Sequence, residues 1–398
     1  MSAVCVGCGR EPVKLLLELG PQPPSNRLHA PGAMPVERHD LTLGQCTVCA
    51  LLQLVAPMPV EAVRPRFDWI AYNEAEAHLD DLTSRLLALP GLPARPVVMG
   101  TTAKDDTLLA RIARVSGGAT SRPELARDWG VHEPLAQIET LQRAVTPERA
   151  SAVASRLGRA DLLVARHVLE HAHDPRAFLA GLRALVKPGG WLLFELPGME
   201  KALVARDHSF LWEEHVMYFT RETFARFFRG VGLPSLTWEY AGALEDTLVA
   251  AVPNTAEDLP APPVAESELA EARAYAAALA PVGAAYRARL AEWHGAGRRI
   301  VVFGAGHLAV KFVNFHGLGP YIHCFVDDSP HKQGLCVPGA GVPIRSSAVL
   351  DDPDVSVCLL SVNPEREAAV LSRLEPFTAR GGVVRSIYRA SPRAFGSP

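Results

Sequence analysis

The sequence predicts an α/β chain: two units built on parallel sheets, preceded by a small cysteine-rich module. Three observations predict it. Short apolar runs alternate with helical stretches between residues 97 and 253, a second strand–turn–helix begins at Arg298, and four of the seven cysteines stand as two CxxC pairs before residue 50. Strands alternating with helices imply a mostly parallel sheet covered on both faces. A length of 398 residues allows two or three domains, each burying its own core.

The cysteine pairs come first. A CxxC turn brings two thiolates to one side of the backbone, so Cys5, Cys8, Cys46 and Cys49 supply the four soft ligands of a tetrahedral zinc site. Four protein ligands leave no open position, which makes such a zinc structural. The alternative is a disulfide or a redox pair. The opening MSAVCVGCGREPVK has no apolar signal core and no thioredoxin-like βαβ unit surrounds the cysteines, which favours metal. Cys324, Cys336 and Cys358 lie in apolar runs such as IHCFV and VSVCLL, where buried packing is expected.

Residues 1–65 are read as the zinc module, closed by APMPVEAVRPRF. Residues 66–255 form the central domain. A helix from Asn73 to Leu89 stops before Pro90, Gly91 and Pro93; VVM, LLARIARV, DLLVA, RAFLAGLRALV, WLLFEL and TFARFFRGV then alternate, and LTWEYAG with DTLVAAVP closes the domain as an antiparallel pair. Residues 256–295 hold the proline-rich linker EDLPAPPVAES and an alanine-rich helical stretch, expected to break near Pro281. Residues 296–398 form the last α/β unit. There RIVVFGAGHLAVKFVNF carries Gly304, Gly306 and Ala309 at dinucleotide-fingerprint spacing, with Asp327 and Asp328 downstream. The same loop suits another nucleotide or diphosphate at a helix N-terminus, or architecture alone.

Composition narrows the function. Hydrophobic residues make up 48% and charged residues 21% of the chain, the net charge is −3, and no basic stripe carries interleaved aromatics, so nucleic acid is not an expected partner. No apolar run approaches the roughly 20 residues of a membrane helix. The expectation is a cytoplasmic enzyme acting on a small molecule.

Candidate proton carriers cluster in two segments. In LWEEHVMYFT, Glu213, Glu214 and His215 stand between Trp212 and Tyr218, where partial desolvation brings a carboxylate or an imidazole toward neutrality. The same residues also read as an acidic cluster stabilising the RETFARFF helix, with His215 structural. In ADLLVARHVLEHAHDP, His167 and His171 fall where a strand ends and a helix begins, the edge at which open α/β sheets bind ligands. Helix packing accounts equally well for His171.

The order of these elements resembles the three-part C-methyltransferases that modify nucleotide-linked deoxysugars in antibiotic biosynthesis. The resemblance rests on the CxxC pairs, HVLEH, KPGG, EEHVMYF and a terminal GAG…DDSPHKQG…PGAGVPI stretch, and covers essentially the whole chain. It implies a zinc-binding module, a class I methyltransferase-like Rossmann domain and a second Rossmann-like α/β domain. It also implies S-adenosylmethionine at the carboxyl ends of the central strands, and an acceptor between the central and C-terminal domains. In such enzymes a base removes a proton beside a ketone and the enolate attacks the sulfonium methyl group. The family's Glu-His pair falls on Glu214 and His215, and its histidine after the fourth strand on His171. Where the family has a phenol followed by histidine, this chain has Trp212 and Glu213.

The cofactor loop departs further. It falls on Gly100, Thr101, Thr102, Ala103, Lys104, Asp105 and Asp106, and neither glycine position keeps glycine, so side chains occupy the space of the backbone–cofactor contact. Downstream, SGGATSRPELARDWGVHEP shows no second strand ending in a ribose-binding acid. Gly100, Thr102, Asp105, Asp106 and His167 remain the cofactor candidates, with Asp105 or Asp106 on the ribose in an unusual mode. Three classes follow: a C-methyltransferase of secondary metabolism with a divergent loop, a former methyltransferase catalysing a cyclisation, elimination or isomerisation, and an inactive partner or scaffold.

Overall fold

The computed structural model describes residues 3–34, 36–70, 74–257, 259–260 and 262–395. The chain divides into two compact units, one made of Met1–Leu15, Leu43–Glu200 and Glu214–Leu269, the other of Leu16–Thr42, Lys201–Glu213 and Ala270–Pro398. Residues 1–65, read from sequence as one module, contribute to both.

The first unit is organised by a six-stranded sheet in the order Thr120–Ser121, Val98–Gly100, Ala160–Arg166, Val186–Pro197, Thr247–Pro253, Leu236–Tyr240. The first four strands are parallel and the last two form the expected antiparallel pair. Alternation along the strands splits the core. Leu163, Ala165, Leu192 and Phe194 pack with Phe178, Leu182, Phe224 and Phe228, while Leu162, Val164 and Leu193 face Leu79, Leu82, Leu86, Leu108 and Ile112. Each fully buried leucine or phenylalanine contributes about 1.5–3 kcal/mol, enough to hold the strand tips rigidly.

The helix expected over Asn73–Leu89 is Leu79–Leu87, shorter than expected. Asn73 lies outside the described residues. Glu74 and Glu76 are drawn out of helical register by side-chain bonds to Lys104 and to the Thr107 hydroxyl. The helix Asp106–Ser116 ends at Gly117, whose φ of 66° terminates it without Cβ strain.

The second unit carries a five-stranded parallel sheet in the order Ile344–Arg345, Ile322–Val326, Arg299–Phe303, Val355–Leu360, Val383–Ser386. Cys324, Cys336 and Cys358 are buried, as expected of packing cysteines. One expectation fails: the helix Glu266–Gly295 runs unbroken through Pro281. An interior proline costs about 3 kcal/mol, but it sits exposed, and buried Tyr275 on one side with Tyr286 and Leu290 on the other tie down both halves. Asp258 and Ala261 of the proline-rich linker lie outside the described residues. Among the described residues, no helix is long and apolar enough to cross a membrane.

Candidate functional site

The cysteine pairs converge in the first unit. Cys5 Sγ lies 3.6 Å from Cys49 Sγ and Cys8 Sγ 3.7 Å from Cys46 Sγ, and all four sulfurs lie within 4.8 Å of one another. No disulfide joins them. Sulfurs about 2.3 Å from a central zinc stand roughly 3.8 Å apart in a tetrahedron, so the set fits that ion. The Cys8 and Val48 amides donate to Cys5 Sγ at 3.5 Å and Cys46 Sγ at 3.3 Å, outer bonds that favour thiolates.

The two histidine segments also meet in this unit. Leu169–His171 forms a short 3₁₀ turn beyond the strand Ala160–Arg166. The Val216 amide donates to the Glu170 carbonyl at 2.7 Å, the Leu54 amide donates to the Val216 carbonyl at 2.9 Å, and Met217–Tyr218 pairs antiparallel with Leu52 and Gln53. These backbone bonds set the His215 ring edge-on to His171, with centroids 4.7 Å apart at 88°. Tyr218 flanks His215 at 6.1 Å.

Electrostatics give the histidine pair its character. Burial, then the positive charges of Lys104 and His167, pull His171 down to about 3, against a hydrogen bond to the Glu214 backbone. His171 is therefore a neutral imidazole at physiological pH. Burial pushes the neighbouring Glu170 carboxyl up to about 7, and burial with the Glu74 charge does the same to Glu245. Candidate ligand atoms of Glu170, His171 and His215 lie within 4.8 Å of one another.

At the strand tips, the loop expected to cradle a cofactor has folded onto itself. Asp105 is fully buried. Its Oδ2 accepts the Thr101 amide at 2.6 Å, the Thr101 hydroxyl at 2.9 Å and the Thr102 amide at 2.9 Å, while Oδ1 accepts the Arg166 amide at 3.0 Å. Burial nonetheless raises the Asp105 carboxyl against these bonds. A Cβ at Gly100 would stand 2.9 Å from Leu109 Cδ1 and 3.0 Å from Asp105 Cβ, so glycine at this position makes room for Asp105. The carboxylate is committed to its own loop, contrary to the ribose role considered for it.

Next to this loop lies a buried ion network absent from the sequence reading. Arg166 and Glu195 are register partners on adjacent strands, and Arg166 Nε donates to Glu195 Oε1 at 2.9 Å while Nη1 donates to the Lys104 carbonyl at 2.6 Å. His167 Nε2 meets Glu195 Oε1 at 3.1 Å and His78 Nε2 meets Oε2 at 3.0 Å. Glu74 pairs with Lys104 and approaches His167 Nδ1 at 3.7 Å. Burial disfavours the His167 charge, but Glu74, Glu195 and Glu170 overcome it and raise His167 to about 9. Burial likewise opposes ionisation of Glu195, yet bonds from His167 and His78 hold it well below the usual carboxylate range. His167 has φ 51°, a left-handed conformation that costs a non-glycine residue about 1–3 kcal/mol. The signal was present in the sequence: the apolar run DLLVAR ends in Arg166, and WLLFEL carries Glu195 inside an otherwise apolar run.

These residues do not fit S-adenosylmethionine in the seat that the resemblance implies. The Thr101 and Thr102 amides are engaged by Asp105, and buried Arg166 is tied to Glu195 and to the Lys104 carbonyl of the loop. The edge strand Thr120–Ser121 is followed by Arg122, not an acid, and Arg122 Nε donates to Asp106 Oδ1 at 2.9 Å. Thr102 caps its own turn through a 3.2 Å bond from the Lys104 amide.

Glu213, expected among the proton carriers, belongs to the second unit. Its carboxylate takes the Ser25 amide at 2.5 Å and hydroxyl at 2.8 Å and pairs with buried Lys311. Burial opposes its ionisation, but the Lys311 charge wins and keeps it low. This is a structural ion pair rather than a titrating acid. Trp212 stacks on His307 at 4.3 Å. In the GAG loop the Ala305 amide donates to Asp327 Oδ2 at 2.9 Å, as does Lys332 Nζ at 3.0 Å. A Cβ at Gly304 would stand 2.6 Å from the Ser361 carbonyl, so that glycine serves packing.

Comparison with known proteins follows the same division. Residues 97–236 match a methyltransferase domain and residues 265–386 a C-methyltransferase C-terminal domain. The chain is 28% identical over 222 residues to the C-methyltransferase NovU of Streptomyces niveus, covering 52% of this chain and 53% of that protein. The chain thus spans about half the length of the curated relative it matches. Among solved structures, an O-methyltransferase family protein from Burkholderia thailandensis aligns with TM-score 0.29 and 18% identity over 44% of this chain and 57% of that one. Magnesium protoporphyrin IX methyltransferase from Synechocystis aligns with TM-score 0.30 and 11% identity over 46% and 90%.

Proposed function

We propose that this chain, which belongs to the S-adenosylmethionine-dependent C-methyltransferase family, is an enzyme that removes a proton from an activated carbon of a small natural-product intermediate. Removing that proton is the step on which C-methylation depends, because a carbon must carry an electron pair before it attacks an electrophile. The carrying observation is the edge-on contact of His171 with His215, 4.7 Å between centroids, made by two segments far apart in sequence.

In this reading half-buried His215 takes the proton from the acceptor carbon, and Glu214 beside it orients the imidazole or shares the proton. His171, kept neutral by burial, packs edge-on against His215 and holds its ring in place without taking the proton. Protonatable Glu170 and Glu245 lie in the same unit and buffer the charge that develops. An acceptor with a carbonyl beside the reacting carbon suits this set, and a nucleotide-linked keto sugar is the class implied by the resemblance. Zinc at Cys5, Cys8, Cys46 and Cys49 is structural, holding the module whose strand Leu52–Leu54 carries Met217–Tyr218.

The test is solvent-deuterium exchange at the acidic carbon of a nucleotide-linked keto-deoxysugar. Loss of a general base typically costs about 10²–10⁴ in rate, so His215→Ala and Glu214→Gln should slow exchange by that order with the fold intact. His171→Ala should slow it less. Exchange within about threefold of the parent in both His215→Ala and Glu214→Gln, far below that range, would make the segment structural.

A further inference from the structure

We infer that this chain enolises its acceptor without a methyl donor and returns the proton to carbon, as an isomerase or epimerase does, because the donor loop is sealed by its own aspartate. The inference rests on the proton-transfer reading of His171 and His215.

Each surface that would recognise the donor is already used by the protein. A glycine-rich loop binds through backbone N–H groups turned outward, yet the Thr101 and Thr102 amides turn onto Asp105, and the Arg166 amide closes the cap from the neighbouring strand. Gly100, which would let a ligand approach the backbone, instead admits the Asp105 side chain. A ribose needs a carboxylate at the tip of the next strand, and Arg122 stands there, tied to Asp106. A sulfonium cation would also have to enter beside Lys104, Arg166 and protonated His167, whose negative partners Glu74 and Glu195 are already paired. Opening the seat would require Asp105 and Arg166 to give up their bonds together.

The chemistry that remains balances without a co-reactant. The base takes the proton from the carbon beside the carbonyl, and the C–H electron pair passes to the carbonyl oxygen as an enolate. The acid–base side chains then return a proton to that same carbon on its other face, and the carbonyl re-forms. Nothing is oxidised, reduced or lost.

The parent full-length protein tests this directly by calorimetric titration with S-adenosylmethionine and S-adenosylhomocysteine, paired with amide exchange at Thr101, Thr102 and Arg166. The expected result is dissociation constants weaker than about 100 µM for both compounds, with exchange at the three amides unchanged by either. Tighter binding of either compound, or protection of those amides on its addition, would overturn the inference. Failure of the proton-transfer reading is separate, because it is read from deuterium exchange in the His215→Ala and Glu214→Gln proteins regardless of donor binding.

Discussion

Asp105→Ala is the most informative single substitution, because two roles for this carboxylate predict opposite signs. If Asp105 caps its own loop, alanine leaves the Thr101, Thr102 and Arg166 amides without their acceptor in a region where Asp105 itself is fully buried. Each stranded buried donor costs about 1–3 kcal/mol, roughly 3–6 kcal/mol for three after modest relaxation. Against this stands relief from keeping a carboxylate buried, worth several kcal/mol for an isolated charge but less for one already holding four bonds. The net expectation is a loss of about 2–4 kcal/mol. Urea unfolding of the full chain, with amide exchange at residues 101, 102 and 166, reads both the sum and its location. The Asp105→Asn protein should recover part of the loss by keeping an acceptor. An alanine protein as stable as the parent or more so, with those amides still protected, would refute the capping role and restore Asp105 as a residue held for a ligand.

Three further outcomes follow from the same geometry. Cys46→Ser should lower zinc content well below one equivalent and unfold the N-terminal module, since binding and folding are coupled at such sites; full zinc occupancy by elemental analysis would contradict it. Glu213→Gln leaves Lys311 charged and buried and should cost about 3–5 kcal/mol, whereas the pair Glu213→Leu with Lys311→Met should recover most of that in urea unfolding. His167 is raised from its usual 6.5 to about 9, so its contribution is fully present below about pH 6.5 and is lost as pH rises through about 9. The urea midpoint should fall across that window in the parent and fall less in His167→Gln; equal slopes would show that His167 carries no such charge.

The sequence made most of the architecture legible, because parallel strands buried on both faces read as unbroken apolar runs. The antiparallel closing pair and the packing cysteines stand where periodicity and surroundings indicated. Pro281 did not break its helix, since local propensity yielded to the aromatic anchors on either side. The site was only partly legible. His171 and His215 were singled out separately, but their contact depends on Val216 bonding to Glu170, a pairing that no local pattern encodes. Glu213 looked like a proton carrier because it is adjacent to Glu214 and His215, yet the backbone turns it toward Ser25 and Lys311. Asp105 was visible as an oddity in the loop; that it points inward became clear only from Gly100 and the three amides it receives.

The most direct measurement is mass spectrometry of a nucleotide-linked keto-deoxysugar incubated with the full-length protein in deuterium oxide, with and without S-adenosylmethionine. Deuterium should enter the carbon skeleton at the same rate in both samples, with the rate depending on His215 and no methyl group gained. A methyl-bearing product formed only in the presence of S-adenosylmethionine would contradict donor-free enolisation, and deuterium uptake unaffected by His215→Ala would contradict the proton-transfer site itself.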